Sequence, residues 1–259
     1  MIRLFEHPLS PYAQKVKIAL REKGVDFEAA LPGGLGAGGV TGEFPAANPR
    51  AEVPVLIDGA AAIFDSTVIL EYIEDSWPEP ALLPAGPADR ARVRMIEEVM
   101  DTHYEAINWG LGEVGWFKRA EGELAATLRQ SASRQTRSFY AWLERQLGER
   151  SWFNGESFGW GDIAVAPFVA ASAVLGTAPT GKLAAWLAGA LKRPSVATTV
   201  SEARAFNRGS VDVADLVARG LFRREYRDHR LEWMIKSGGL EVVLAGLLAD
   251  NIRFTADFS

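Results

Sequence analysis

Val53-Pro54-Val55-Leu56-Ile57-Asp58-Gly59-Ala60-Ala61-Ala62-Ile63-Phe64-Asp65-Ser66 is the stretch on which the fold turns. Two runs of apolar, β-favouring residues, 53–57 and 62–64, flank Asp58-Gly59, a dipeptide that favours tight hairpin turns. Asp65-Ser66 follows at once with side chains that cap helix N-termini, and Leu70, Tyr72 and Ile73 continue at helical spacing as far as Trp77-Pro78. This reads as strand, strand, helix. Upstream, Ile2-Arg3-Leu4-Phe5 reads as a buried strand, and Ser10-Pro11 sets an N-cap before a proline at the first helical position. A helix is predicted from about Pro11 to Lys23, with Gly24 where a C-terminal cap belongs. In it Val16, Ala19 and Leu20 share one face, and Lys15, Lys17, Arg21 and Lys23 are expected to reach solvent. Val25 to Ala29 alternates as a second strand, so residues 1–78 spell βαβ, a loop-rich segment, then ββα.

Beyond this region the period changes. Residues 79–87 are rich in proline and glycine and read as a linker. Residues 88–206 carry helical spacing almost throughout: long helices over about 88–118 and 121–147, a buried one from Phe158 to Leu175, and shorter ones at 182–192 and 195–206. The fold class expected is α+β in two domains, a sheet-bearing one at 1–78 and an all-α one at 88–206, with a C-terminal extension at 207–259.

With 259 residues, 48% of them hydrophobic, the chain can bury two cores of ordinary size. A formal charge of −5 supplies no overall basic field, so neither nucleic acid nor an anionic membrane is favoured as a partner. The start MIRLFEHPLS lacks the pattern of a secretory leader, and no run approaches the roughly 20 apolar residues that span a bilayer. A cytoplasmic location with no membrane insertion is the expectation. The absence of cysteine excludes disulfides, thiolate metal sites and a cysteine nucleophile. His7, His103 and His229 are far apart in sequence, so no metal is expected either. Gly34 to Gly39 fits GxGxxG, but Thr41-Gly42-Glu43-Phe44-Pro45 after it cannot make the long helix that a dinucleotide needs; a loop beside a ligand cleft is the better reading.

Ser10-Pro11-Tyr12-Ala13-Gln14 after the first strand, Asn48-Pro49-Arg50 leading to Val53-Pro54, and Asp65-Ser66 opening the third helix come in an order that resembles the glutathione-transferase superfamily. The likeness runs over roughly residues 1–206 and implies a thioredoxin-like N-terminal domain, an all-helical C-terminal domain and a homodimer. It also implies a role for each motif. Ser10 would hydrogen-bond the glutathione thiolate, Val53 would pair its backbone with the cysteinyl unit across a cis bond to Pro54, and Asp65-Ser66 would receive the γ-glutamyl group. Each position has a plainer reading beside it: Ser10 and Asp65-Ser66 as helix caps, Pro54 as a turn proline opening an edge strand. If the chain is a transferase, Trp109, Trp116 and Phe117 are candidates for an apolar co-substrate wall, with glutathione as a substrate and no cofactor required. Omega-type members carry cysteine at the Ser10 position, so their thiol-exchange chemistry is excluded. Where most members cap the core helix with Ser/Thr-x-x-Asp, this chain has Gly159-Trp160-Gly161-Asp162; Gly159 is read as a slightly weaker cap and Asp162 as reaching back to backbone N–H groups.

The extension is too apolar to be a solvated tail. Within residues 219–236 six basic residues face three acidic ones, a local +3 that leaves −8 on the rest of the chain. This segment, with the start of the chain, resembles a non-catalytic branch of the superfamily that binds the polymerising tubulin homologue FtsZ and regulates cell division. On that resemblance FtsZ filaments are the expected partner. Arg223, Arg224, Arg227 and Arg230 would be the electrostatic part of the contact and Trp233 its apolar anchor. A solvated helix face with intrahelical ion pairs is the alternative.

Overall fold

The structure, a computed structural model, describes residues 1–34, 39–209, 212–222, 231, 234–235 and 237–249. Four strands, β1 (Ile2–Phe5), β2 (Phe27–Ala30), β3 (Val55–Asp58) and β4 (Ala61–Phe64), form one sheet in the order β2-β1-β3-β4. β2 runs parallel to β1, whereas β3 is antiparallel to β1 and β4 is antiparallel to β3. Asp58 pairs with Ala61, so the hairpin loop is Gly59-Ala60, with Gly59 at φ 58, where a side chain would be strained.

Helix α1 (Pro11–Glu22) is the crossover between β1 and β2 and ends as expected: Gly24 has φ 67 and the Val25 amide closes back onto the Leu20 carbonyl at 2.9 Å. Short α2 (Glu43–Ala47) buries Phe44 against Phe5, and α3 (Ser66–Ser76) packs on α1 and on the hairpin. Of the glycine-rich run, residues 35–38 lie outside the described residues.

The helical domain begins with α4 (Pro87–Val99), a π-helical turn (Met100–Tyr104) and α5 (Glu105–Gly115), which follow one another without a break. The single helix expected at 88–118 therefore contains a wide turn. Then come α6 (Gly122–Leu147), α7 (Trp160–Val174), α8 (Gly181–Ala190) and α9 (Pro194–Gly209). Tyr104, Phe139, Trp160, Phe168 and Trp186 fill its core, which is continuous with that of the sheet domain through Leu70, Ile73 and Leu82. In the extension, α10 (Val213–Ala218) and α11 (Leu240–Leu248) are described. Among the described residues no helix is long and apolar enough to cross a membrane, and no cluster of three or more side chains could hold a metal ion.

The structure corrects the reading of α1. Lys15, Lys17 and Lys23 are buried, because α3, α7 and α9 all pack on this helix and leave it no free polar face. Its cations must then find partners inside the protein. Lys15 Nζ lies 2.8 Å from Glu97 and 2.5 Å from Asp101, Lys17 lies 3.0 Å from Glu6 and 2.6 Å from Glu202, and Lys23 lies 2.6 Å from Glu74. Arg21 reaches Glu202 and Thr199 on α9.

The linker is also held fast. Glu74 accepts the Leu82 and Leu83 amides at 3.1 and 3.0 Å, and both leucines are buried. Gly159 is more than a weak cap: a Cβ there would lie 2.4 Å from the Leu82 carbonyl oxygen and 2.3 Å from Asn154 Nδ2, so packing requires glycine. Asp162 takes up the work of capping and accepts four donors, the amides of Phe153, Asn154 and Gly159 and the Trp186 indole. Burial pushes its carboxyl up to about 6 against the pull of those donors.

Candidate functional site

Strand register brings the candidate residues of the sheet domain to one place. Phe5 pairs with Val55 and Val55 with Phe64, so these three form a row across the sheet. The chain leaves that row in the same direction three times: after β1 toward Ser10, before β3 at Val53-Pro54, and after β4 at Asp65-Ser66. One end of the sheet therefore carries all three motifs.

Ser10 is the N-cap of α1; its Oγ accepts the Ala13 amide at 3.3 Å, a bond that does not use the hydroxyl hydrogen. The Val53–Pro54 peptide is cis, Val53 is half-buried and Pro54 is buried. Asp65, at φ 73, caps α3 by accepting the Thr67 and Val68 amides at 3.0 and 3.2 Å. Two of the N–H groups expected to meet a ligand carboxylate are thus already used by Asp65. What remains is the Ser66 amide and hydroxyl at the positive end of the helix dipole, with the Asp65 carboxylate beside them. A zwitterionic amino-acid end, one ammonium and one carboxylate, matches that pair of charges.

The helical domain supplies the facing wall through groups that the sequence reading did not single out. Thr67 Oγ1 donates to Glu97 at 2.9 Å, and the Trp160 indole donates to the other oxygen of Glu97. The Tyr12 hydroxyl donates to the Asp101 carbonyl, inside the π turn, at 2.7 Å. π turns recur at functional sites because the widened turn re-aims side chains. Burial raises the Tyr12 hydroxyl pKa, and Glu105, Asp101, Glu52 and Asp65 raise it further, so Tyr12 keeps its proton. Lys15 stays charged: burial alone would lower its pKa, but Asp101 and Glu97 more than offset that. Asp101 is pushed up to about 6 by burial, Lys15 opposing and Glu97 assisting, and its Oδ1 is buried with no hydrogen-bond partner among the described residues. A signal was present in the sequence, since Glu97 and Asp101 stand four apart on one face of a helix that also carries core residues.

Of the apolar candidates, Trp116 is exposed, and Phe117 packs on Phe222 of the extension with ring centres 6.0 Å apart. Lys118 pairs with Asp212, the N-cap of α10, at 2.7 Å, so the start of the extension sits just beyond the end of α5. Arg223, Arg224, Arg227, Arg230 and Trp233 lie outside the described residues.

Comparison with known proteins agrees with this geometry. The family described as glutathione S-transferase, N-terminal domain, matches residues 4–81, and glutathione S-transferase, C-terminal domain, matches residues 115–189. Glutathione S-transferase U28 of Arabidopsis thaliana is 31% identical over 202 residues, covering 74% of this chain and 85% of that protein. Among solved structures, a glutathione S-transferase from Rhodospirillum rubrum F11 aligns with a TM-score of 0.67 at 29% identity, covering 78% of this chain and 92% of that one. FzlA from C. crescentus aligns with a TM-score of 0.68 at 25% identity, covering 77% of this chain and 92% of that one. By the two domain matches and the relative that is 31% identical over 202 residues, this chain belongs to the glutathione S-transferase family.

Proposed function

We propose that the chain is a glutathione transferase that works through Ser10. The observation that carries this reading is the convergence of Ser10, Val53-Pro54 and Asp65-Ser66 at one end of the sheet, with the Ser10 hydroxyl hydrogen not used in its cap bond. The thiol proton of glutathione passes to solvent, and the Ser10 O–H donates to the thiolate that is left. The sulfur then attacks an electrophilic carbon, a C–S bond forms, and the leaving group departs with its electron pair. Tyr12 is a poor alternative donor, because its hydrogen is spent on the Asp101 carbonyl.

The test is conjugation of glutathione to 1-chloro-2,4-dinitrobenzene. Loss of one donor to a developing anion costs roughly 10²–10³ in rate, so Ser10→Ala should lower kcat/KM by about that factor and Ser10→Thr should retain most of it. Saturable binding without turnover in the wild type would sink the catalytic part of the proposal.

A second reading, a non-catalytic FtsZ-binding regulator of cell division, is motivated by the alignment with FzlA and by the extension at 207–259. The charge segregation of residues 219–236 supports it. Reversing Arg223 and Arg227 should abolish co-sedimentation with FtsZ polymer at low salt; unchanged co-sedimentation would discard this surface. A homodimer suits either reading. Val68 on α3 and Met95 on α4 are exposed apolar side chains, and Arg94 and Glu71 form a bidentate pair between the same two helices. Light scattering at one chain mass would exclude it.

A further inference from the structure

The turn that presents Ser10 is built on His7. The His7 carbonyl accepts the Ser10 amide at 2.8 Å and its Nδ1 accepts the Leu9 amide at 3.2 Å, while Gln14 from α1 holds the Pro8 carbonyl at 2.7 Å. An imidazole nitrogen that accepts a hydrogen bond carries no proton, so this turn requires the neutral ring with hydrogen on Nε2. Its cover comes from the far end of the chain: Phe206 of α9 stands edge-on to His7, ring centres 4.8 Å apart and planes at 72°.

That contact is one of a set. Glu202, one helical turn before Phe206, pairs with Lys17 and Arg21 of α1, and Lys17 in turn holds Glu6, the residue before His7. One face of α9 therefore grips both the β1–α1 turn and the helix that Ser10 caps. The charged groups on the surrounding elements, Glu6, Lys17, Arg21 and Glu202, are engaged with one another, and burial lowers the pKa of the His7 ring.

We infer that Phe206 is a positioning residue for Ser10, covering His7 so that its Nδ1 stays on the Leu9 amide and the turn holds the Ser10 hydroxyl at the mouth of the cleft. The cover matters because a protonated His7 has two N–H groups and no acceptor, so the Leu9 bond would break and the turn would loosen. The inference rests on the proposed role of Ser10 for its catalytic consequence, but its structural core does not.

The test uses the full chain and follows the His7 ring and the Leu9 and Ser10 amides by NMR from about pH 5 to 8. In wild type His7 should titrate below the ordinary histidine value of about 6.5, with the two amides steady around neutrality. In Phe206→Ala the ring should titrate at about that ordinary value, both amides should move with the same midpoint, and kcat/KM should gain an acid limb there. Phe206→Leu, which keeps an apolar cover, should behave as wild type, and adding His7→Asn to Phe206→Ala should remove the acid limb. Amides that stay still while His7 titrates would overturn the inference, as would a Phe206→Ala profile identical to wild type. Should the wild type lack turnover, the transferase reading fails on its own account and the amide titration still decides the role of Phe206.

Discussion

Replacing Lys15 by methionine removes one charge from a point where two domains meet. Lys15 is fully buried, its Glu97 partner is 2% exposed and Asp101 is 16% exposed. Methionine keeps most of the apolar stem, so the change isolates the ammonium. Two carboxylates are then left in the seam without their cation, and breaking a buried pair in this way costs about 3–5 kcal/mol. At about 2–4 °C per kcal/mol for a chain of this size the melting temperature should fall by roughly 6–20 °C. Urea unfolding followed by tryptophan fluorescence is the assay, and Trp160 is a local reporter because its indole donates to Glu97. Adding Glu97→Gln and Asp101→Asn should recover all but about 1 kcal/mol. A glutamine can still accept from Trp160 and donate to Thr67, so the same groups remain satisfied without charge. If Lys15→Met melts within about 1 kcal/mol of wild type, or if the triple variant is no more stable than the single one, the cluster does not hold the seam.

Three further outcomes follow from the same geometry. Asp101, raised to about 6, keeps its proton when folded over a pH range in which the unfolded chain has lost it, so its contribution to stability falls as pH rises from about 4 to 6. The shortfall of Asp101→Asn relative to wild type should therefore be largest near pH 4 and shrink by roughly 2–3 kcal/mol by pH 7; denaturation midpoints across that range check the sign. Gly159→Ala should cost about 2–3 kcal/mol by forcing a methyl group onto the Leu82 carbonyl and Asn154, and a melting temperature within 2 °C of wild type would show that the segment yields freely. Asp65→Asn should keep the α3 cap and its stability yet weaken glutathione binding about tenfold by calorimetry, whereas Asp65→Ala should lose about 1 kcal/mol of stability as well. Equal affinities for wild type and Asp65→Asn would remove the carboxylate from the ligand site.

Local chemistry made the sheet domain legible. Ser10-Pro11, Asp58-Gly59 and Asp65-Ser66 each specify a cap or a turn through residues only a few positions apart, and the structure places α1, α3 and the β3–β4 hairpin there, with the hairpin loop one residue later, at Gly59-Ala60, because Asp58 still pairs with Ala61. What was lost depends on partners far away in sequence. Lys15, Lys17 and Lys23 have the spacing of a solvated face, and nothing within α1 says that Glu97, Glu202 and Glu74 will cover it. Gly159 looked like a tolerated cap because the Leu82 carbonyl that excludes a side chain lies 77 positions earlier. The π turn was hidden for another reason: one extra residue in a helical rod alters the apolar spacing too little to stand out over a single turn.

The seam and the cleft share one electrostatic design, and this bears on what the site can catalyse. Glu97 and Asp101 outnumber Lys15 on the helical side, Glu105 of α5 and Asp65 and Glu52 of the sheet domain act on Tyr12 with the same sign, and Arg50 offsets Glu52 at 2.6 Å, so carboxylates stand on both sides of this end of the sheet. A thiolate is not stabilised by such a field. What opposes it is local, namely the Ser10 hydroxyl and the N-terminal end of α1, where peptide dipoles put partial positive charge within the first turn. An ammonium group, by contrast, gains from every one of those carboxylates. On the proposed transferase reading, the site would hold the zwitterionic end of glutathione strongly and activate its thiol weakly. Under that proposal affinity would fall to the Asp65 side of the cleft and rate to the Ser10 side, and turnover would depend on the precision with which His7 and Phe206 hold the Ser10 turn.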